Sequence, residues 1–297
     1  MKKTLTLAAS VLIIGSASAQ GGTTQEGYAL QWDKTINVVP DSLRNGTHIL
    51  PAWSVAVHEA DDSDVMGWWL ADMASTSTAV TKGKPAKANG LRIVQVPGAT
   101  MALASVSNER KSRFARLTVA FAVNDSTPAV PTDGQEDYMR ALAVKYNRAV
   151  VQAQIADYEK QLARSSDKLA DTKGDVAKNQ ARITKSSSEL EKIKAKRGRI
   201  QRDNAKVSGD IAGLEKKFAL SNDAKDLKKL TKSREKLAKG ESSLAKLMQQ
   251  EADVQGDIAK QQGRLESNAG KAEDRGATKE ELQQALIALK RKHDAIQ

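Results

Sequence analysis

Cysteine is absent from the 297-residue chain. Its absence excludes disulfides, thiolate metal sites and a lipid anchor on an N-terminal cysteine. Histidine is nearly as scarce, since His48, His58 and His293 are the only three. The chain contains no G-x-S-x-G, H-E-x-x-H or G-x-x-x-x-G-K-[ST] motif. We therefore expect a protein that is not an enzyme and that holds no metal or cofactor.

Long apolar runs are also missing. The longest, from Leu5 to Ile14, is too short to span a bilayer, so we expect no transmembrane segment in the mature chain. This run follows Lys2 and Lys3 and precedes the small residues Ala17-Ser18-Ala19. Residues 1–19 therefore predict a secretory signal peptide. We expect an exported protein, in the periplasm or at the cell surface and beyond.

Charge and aromatic residues divide the chain into two halves. The net charge is +11, but residues 20–137 hold 10 Lys and Arg against 13 Asp and Glu, whereas residues 138–297 hold 35 against 23. All four tryptophans lie before residue 70, and proline is absent after Pro131. The first half has the composition of a small folded domain. The second half permits long uninterrupted helices.

Residues 20–124 predict a small α+β domain of order β-α-β-β-β. Alternation of apolar and polar residues indicates strands at 53–60, 91–96, 101–107 and 115–123, with a possible additional strand at 78–83. Between the first two strands, Val65, Trp69 and Met73 recur at helical spacing, after Asp62 or Ser63 as a cap. Residues 125–137 predict a linker, with a helix beginning at Thr132 or Asp133.

Candidate sites in this domain are few. His58, Glu59, Asp61, Asp62 and Asp64 form an acidic cluster of the kind that Ca²⁺ prefers, but their spacing does not match an EF-hand loop. We interpret them as acids favoured at a helix N-terminus.

The adjacent pair Trp68 and Trp69 can stack on a sugar or a peptide. The more common arrangement places one tryptophan of such a pair in the core and leaves the other partly exposed.

Residues 138–297 predict a coiled coil. Counting by seven from Ile155 gives an apolar series with few interruptions, and a second series starts three residues later at Tyr158. Both stop near residue 220, where Ser221, Asn222 and Asp223 are typical of a new helix start. Equal lengths on both sides predict an antiparallel helical hairpin with its tip near 220–223. A second start is indicated by Thr278 and Glu281, which have capping-box spacing.

The predicted seam between the helices is weak. Ser165, Thr172, Asn179 and Ser186 take four successive core positions, and several glycines lie inside the helices, each costing about 1 kcal/mol relative to alanine. We therefore expect flexibility or a protein partner, including a second copy of the chain.

Positive charge concentrates toward the tip. Residues 192–239 carry 16 Lys and Arg against 6 Asp and Glu. Such a surface either keeps a coiled coil soluble or binds an anionic envelope component such as lipid phosphates or acidic glycan. Nucleic acid is disfavoured by the signal peptide and by the lack of interleaved aromatics. The candidate contacts are Lys192, Lys194, Lys196, Arg197, Arg199, Arg202, Lys228, Lys229 and Lys232.

The stretches "WSVAVHEA", "LRIVQVPG", "MALASV" and "LTVAFAV", followed by a helix after "EDYMRALAV", resemble a family of uncharacterised secreted bacterial proteins. The similarity covers residues 50–215 and implies a small α+β domain before a C-terminal coiled coil. It implies no activity and no catalytic residues.

The sequence thus predicts an exported, non-enzymatic structural or interaction protein, a coiled-coil spacer or scaffold of the cell envelope with a basic tip. One alternative is a ligand- or glycan-binding module that uses Trp68 or Trp69. The other is a holdase-like periplasmic chaperone, by analogy with a chaperone family that carries helical arms on a β body.

Overall fold

A computed structural model describes residues 28–109 and 113–297. The predicted signal peptide, residues 1–19, lies outside them. The chain forms two compact units: the first runs to Leu162 and includes Glu281–Gln297, and the second is Ala163–Glu280. None of the helices in the described ranges carries an apolar stretch as long as a bilayer requires.

The described elements confirm a small α+β domain followed by two long helices. One antiparallel sheet has the strand order β1-β2-β6-β5-β4-β3. The elements are β1 (Val39–Asn45), β2 (His48–His58), α1 (Asp62–Thr76), β3 (Ala79–Thr81), β4 (Ala86–Asn89), β5 (Met101–Glu109), β6 (Phe114–Ala122), α2 (Asp133–Ser221) and α3 (Ala224–Ala295).

The predicted strand at 91–96 is wrong. This segment lies between β4 and β5 as a loop, tied down by backbone bonds such as Arg92 N to Thr76 O at 2.7 Å. Its apolar residues alternate because Leu91, Ile93 and Val96 are buried, while Val94 is 91% exposed. A loop packed into the core therefore produced the same alternation as a half-buried strand.

Two strands were missed by the sequence prediction. β1 contains a proline and is mostly exposed, and β4 is the short sequence AKAN, with no β-branched residue. The dipeptide Asn45-Gly46 does mark the β1–β2 hairpin, because Gly46 has a φ of +61° in the two-residue loop.

The helices of the first unit cover one face of the sheet. Val65, Trp69 and Met73 of α1 are fully buried there, as their spacing predicts. The beginning of α2 adds a large set of core side chains: Met139, Leu142, Ala143, Tyr146, Val150, Val151, Ile155 and Tyr158. The end of α3 adds Leu289, and Ile296 follows directly after the helix; both are 0% exposed.

This packing places more of the chain in the first unit than the predicted domain of residues 20–124. Residues 133–162 and 281–297 carry apolar side chains that complete the core, so they belong to the same compact unit as the sheet. The segment between β6 and α2 is therefore shorter than the predicted linker of residues 125–137, because α2 begins at Asp133.

The second unit is a pair of antiparallel helices. The turn falls at Asn222, whose φ is +46°, and Asp223 Oδ1 accepts a hydrogen bond from Lys225 N at 2.8 Å. Beside the turn, Val207, Ile211 and Leu230 form a small apolar cluster. The predicted tip near 220–223 therefore agrees with the structure.

The second predicted start near residue 278 is wrong. Helix α3 is continuous, and Thr278 Oγ1 donates to Asp274 O at 3.0 Å, four residues back within the same helix. Threonine hydroxyls inside helices often donate to the carbonyl four residues back. A threonine in this position lies within a helix and does not cap the start of a new one.

Gly134 provides a test of the core. An added Cβ at this position would overlap the backbone oxygen of Gln95, which is part of the packed 91–96 loop. Gly134→Ala should therefore lower the free energy of unfolding by about 1–3 kcal/mol in chemical denaturation.

Gly67→Ala in α1 is the matched control, because nothing lies near its added Cβ. It should raise the free energy of unfolding by up to about 1 kcal/mol. Effects of the same sign in the two variants would contradict the packing described.

Candidate functional site

The heptad register determines on which side of the second unit each charge lies. Position a falls at every seventh residue from Ile155 in α2 and from Leu230 in α3. Positions a and d form the seam, e and b lie on one side of it, and g and c lie on the other. In an antiparallel pair, the g and c positions of both helices share one side.

Two observations support this assignment. Glu215 and Arg234, both at position e, form an ion pair of 2.6 Å across the helices. On the other side, g residues of both helices, including Arg182 and Arg264, line the same groove.

One side is strongly basic. Within residues 163–280, the g and c positions carry 19 Lys and Arg against 8 Asp and Glu, a net charge of +11. All 19 basic side chains are exposed. This basic flank comprises Arg164, Lys168, Lys178, Arg182, Lys185, Lys192, Lys196, Arg199, Lys206 and Lys217 of α2, and Lys225, Lys229, Lys232, Lys236, Lys239, Lys246, Lys260, Arg264 and Lys271 of α3.

The opposite flank, formed by e and b positions, is slightly acidic. It carries 3 Lys and Arg against 6 Glu, a net charge of −3. Eleven of its b positions are alanine, six on α2 and five on α3. The positive charge of the second unit is therefore concentrated on one side.

The nine predicted contacts divide between these surfaces. Five belong to the basic flank: Lys192, Lys196, Arg199, Lys229 and Lys232. Lys194 lies on the opposite flank and pairs with Glu191 at 3.1 Å. Arg202 and Lys228 occupy the outermost position f, where Arg202 Nε donates to Gly198 O at 3.2 Å.

Arg197 is part of the seam rather than of a binding surface. Its guanidinium pairs with Glu251, a carboxylate that is only 7% exposed. This ion pair takes the place of an apolar contact between the two helices. Arg197 therefore stabilises the helix pair and is not counted among the anion-binding residues.

The sequence interpretation missed 14 of the 19 residues of the basic flank. Lys178, Lys185, Lys192, Arg199 and Lys206 recur at intervals of seven, and so do Lys225, Lys232, Lys239 and Lys246. That interval was the available signal, because it keeps side chains on one side of a coiled coil.

The two candidate tryptophans have different environments. Trp69 is fully buried in the core. Trp68 is half-buried, its ring centroid 5.8 Å from that of Tyr146, and it lines a cavity of about 260 Å³ in the first unit. Four carboxylates share this cavity: Glu59, Asp61, Asp64 and Asp157.

His58 does not line the cavity that holds three carboxylates of the predicted acidic cluster. The His58 ring lies 5.6 Å from that of Trp32 and 5.7 Å from that of Phe114, and burial lowers its pKa. Glu59 instead contacts the end of α3. His58 is thus a neutral packing residue at neutral pH.

A buried polar cluster around Lys292 was not predicted from the sequence. Lys292 is only 3% exposed, and its Nζ donates to Glu59 Oε2 at 2.6 Å and to Ala29 O at 2.8 Å. Gln154 Nε2 donates to the same Glu59 oxygen at 2.8 Å. The cluster therefore joins α2, α3, the end of β2 and the segment before β1.

The geometry explains the protonation state of Glu59. Desolvation by burial would raise its pKa, but the hydrogen bonds from Lys292 and Gln154 outweigh burial and hold the pKa below its ordinary value of 4.5. The carboxylate is ionised at neutral pH and satisfies the ammonium group. This is a structural ion pair that fixes the end of α3 on the sheet.

A second polar cluster lies on β1, β2 and β6. Ser54 Oγ is 2.5 Å from Asp41 Oδ2 and 2.6 Å from Thr118 Oγ1. The hydrogen bond from Ser54 is the main cause of the lowered pKa of Asp41. A carboxylate with a lowered pKa is a weak base, so this cluster satisfies buried polar groups rather than activating Ser54 as a nucleophile.

No protein-family model matches this chain, and no curated protein is similar to it in sequence. The resemblance to secreted bacterial proteins with a coiled coil stays a prediction. Charge is concentrated at two surfaces of the described chain, the basic flank and the acidic cavity beside Trp68.

Lys292 provides a test of the buried cluster. Lys292→Met should lower the free energy of unfolding by about 3 kcal/mol, because it leaves Glu59 without its cation. Lys290→Met, two residues away, removes an exposed ion pair of 3.0 Å with Glu159 and should cost less than about 1 kcal/mol. Equal losses would contradict a special role for Lys292.

The pH dependence of stability should report the same pair. A carboxylate with a lowered pKa in the folded state adds stability above its unfolded pKa, and that stability disappears as the pH falls through the folded pKa. Wild-type protein should therefore lose stability below about pH 4.5, and Glu59→Gln should lack this component. Identical pH profiles of urea unfolding would exclude the assignment.

Proposed function

We propose that this protein is an exported, non-enzymatic interaction protein of the cell envelope that binds an anionic component through the basic flank. The observation that carries the proposal is the separation of charge, +11 on one flank against −3 on the other. A coiled coil that needed lysines only for solubility has no reason to place them on one side.

The spacing of the flank suits an extended or planar partner. Seven residues of helix span about 10.5 Å, so each row of lysines repeats at a distance comparable to the Debye length in physiological salt. Each Lys or Arg near an anionic surface contributes about 1 kcal/mol. Many weak, regularly spaced contacts thus add up to salt-sensitive binding.

Export and self-association belong to the same proposal. The sequence of residues 1–19 supports export, which brings the flank close to lipid phosphates and acidic glycans. Most seam residues of the second unit are only half-buried, which supports the prediction that a second copy or another protein completes the packing.

A second candidate function concerns the cavity beside Trp68. Its aromatic wall and the three carboxylates that Lys292 does not neutralise, Asp61, Asp64 and Asp157, favour a cationic group over a neutral sugar. The alternative function is therefore a module that binds cationic ligands beside Trp68, and not one that binds glycans. A holdase-like role has no comparable structural observation in its support.

The main proposal is tested by charge reversal with a matched control. A flank variant carries Lys192→Glu, Lys196→Glu and Arg199→Glu. The control carries Lys173→Glu, Lys194→Glu and Lys228→Glu, which change the net charge equally but lie off the basic flank. Binding is measured by co-sedimentation with phosphatidylglycerol vesicles and with the acidic polysaccharide alginate.

The flank variant should lose about 100-fold in affinity for at least one of these anions. The control should change by less than about threefold, because its altered charges lie farther from the bound anion. Equal losses in both variants would show that only net charge matters and would contradict the proposal.

A further inference from the structure

A groove opens on the basic flank away from the tip. It lies between α2 residues 175–182 and α3 residues 260–271, within the second unit, and has a volume of about 650 Å³. Its lining is Asp175, Lys178, Asn179, Arg182, Lys260, Gly263, Arg264, Ser267, Asn268 and Lys271.

The groove exists because the seam is short of large side chains at this level. Asn179 and Asn268 take the two d positions, and Gly263 and Ser267 add little volume beside them. A pair of leucines at the d positions would fill this space with apolar groups. The local sequence therefore leaves room for a ligand of moderate size.

Asn179 is a buried polar residue of the seam that lines the groove. It is only 7% exposed, and within residues 28–109 and 113–297 its amide forms no hydrogen bond. Its neighbour along the seam differs: Thr172 accepts from the Arg275 guanidinium and donates to Lys168 O. The Asn179 amide can therefore donate to, and accept from, a ligand in the groove without breaking a hydrogen bond of the protein.

The groove is also rich in cations. Five basic side chains line it against one acid, and that acid, Asp175, is 3.5 Å from Lys178. In the described part of the chain, Arg182, Lys260, Arg264 and Lys271 form no ion pair. Their mutual repulsion across the groove is relieved by an anion bound between them.

We propose that this groove is a discrete binding site for a phosphorylated group with two or more negative charges, such as a phosphate monoester or a pyrophosphate. The proposal deepens the proposed function, on which it rests. The two guanidinium groups of Arg182 and Arg264 present paired donors that match phosphate oxygens, and the Asn179 amide adds a neutral donor at the base. No aromatic side chain lines the groove, which disfavours recognition of a nucleobase.

The experiment uses the full chain and inorganic pyrophosphate as the probe, with binding measured by isothermal titration calorimetry. The groove variant is Arg182→Gln with Arg264→Gln. Its matched control is Lys173→Gln with Lys216→Gln, which removes two exposed charges of the second unit outside both the groove and the basic flank.

Wild type should bind pyrophosphate saturably at one site per hairpin. The groove variant should bind at least about tenfold more weakly, as expected for the loss of bidentate charged contacts, and the control should stay within about threefold of wild type. Equal weakening in both variants, or binding that does not saturate, would overturn the discrete site.

Asn179→Leu separates the site from total charge. It fills the seam with an apolar residue and leaves every charge in place, so the melting temperature should rise while pyrophosphate affinity falls at least about tenfold. Unchanged affinity in a more stable variant would also overturn the proposal.

Vesicles distinguish the source of the phosphate and separate this proposal from the previous one. Phosphatidic acid carries a phosphate monoester, whereas phosphatidylglycerol carries a diester. If wild type prefers phosphatidic acid vesicles at equal surface charge and the groove variants lose that preference, the ligand is a lipid headgroup. If the groove variants lose only the binding of pyrophosphate, the ligand is a soluble phosphate compound. A flank variant that binds both anionic vesicles and alginate as tightly as wild type would overturn the proposed function. Groove variants that bind pyrophosphate as tightly as wild type would overturn the groove site, so the two failures are distinguishable.

Discussion

The register between α2 and α3 is the constraint on which the functional account depends. Because positions a and d must face each other, each remaining side chain is assigned to one flank or the other. In the second unit this assignment collects 19 basic residues on one side and alanines on the other. The same register places Asn179, a seam residue, in the lining of a groove. The basic surface and the groove are therefore two consequences of one packing arrangement.

The first unit has a different organising interaction. Its core is built by a sheet and parts of three helices, and the buried Lys292 joins segments far apart in sequence, since its partner Glu59 is 233 residues away. Apolar packing provides most of the stability of such a core, while a buried ion pair adds a requirement for correct placement. The φ of Glu59 is +57°, which ends the strand just before this residue and lets the Glu59 carboxylate reach the Lys292 ammonium group.

Sequence patterns predicted what depends on local periodicity. The heptads counted from Ile155, the buried face of α1 and the turn near residue 222 follow from spacing and capping residues. The loop at 91–96 could not be separated from a strand, because buried loop residues alternate in the same way. The basic flank was not predicted, because the local density of charge along the chain does not show which side of the coiled coil each charge occupies. The Lys292 cluster requires tertiary contacts that no local pattern encodes.

Both proposals require that the basic residues of the two helices share one flank. The absence of cysteine makes site-directed crosslinking a direct measurement. Lys196→Cys with Gln250→Cys places two thiols at facing g positions, and a short bismaleimide should link them efficiently. Lys194→Cys with Gln250→Cys places the thiols on opposite flanks, and the same reagent should link them poorly. Preferential crosslinking of the second pair would contradict the register and, with it, the separation of charge.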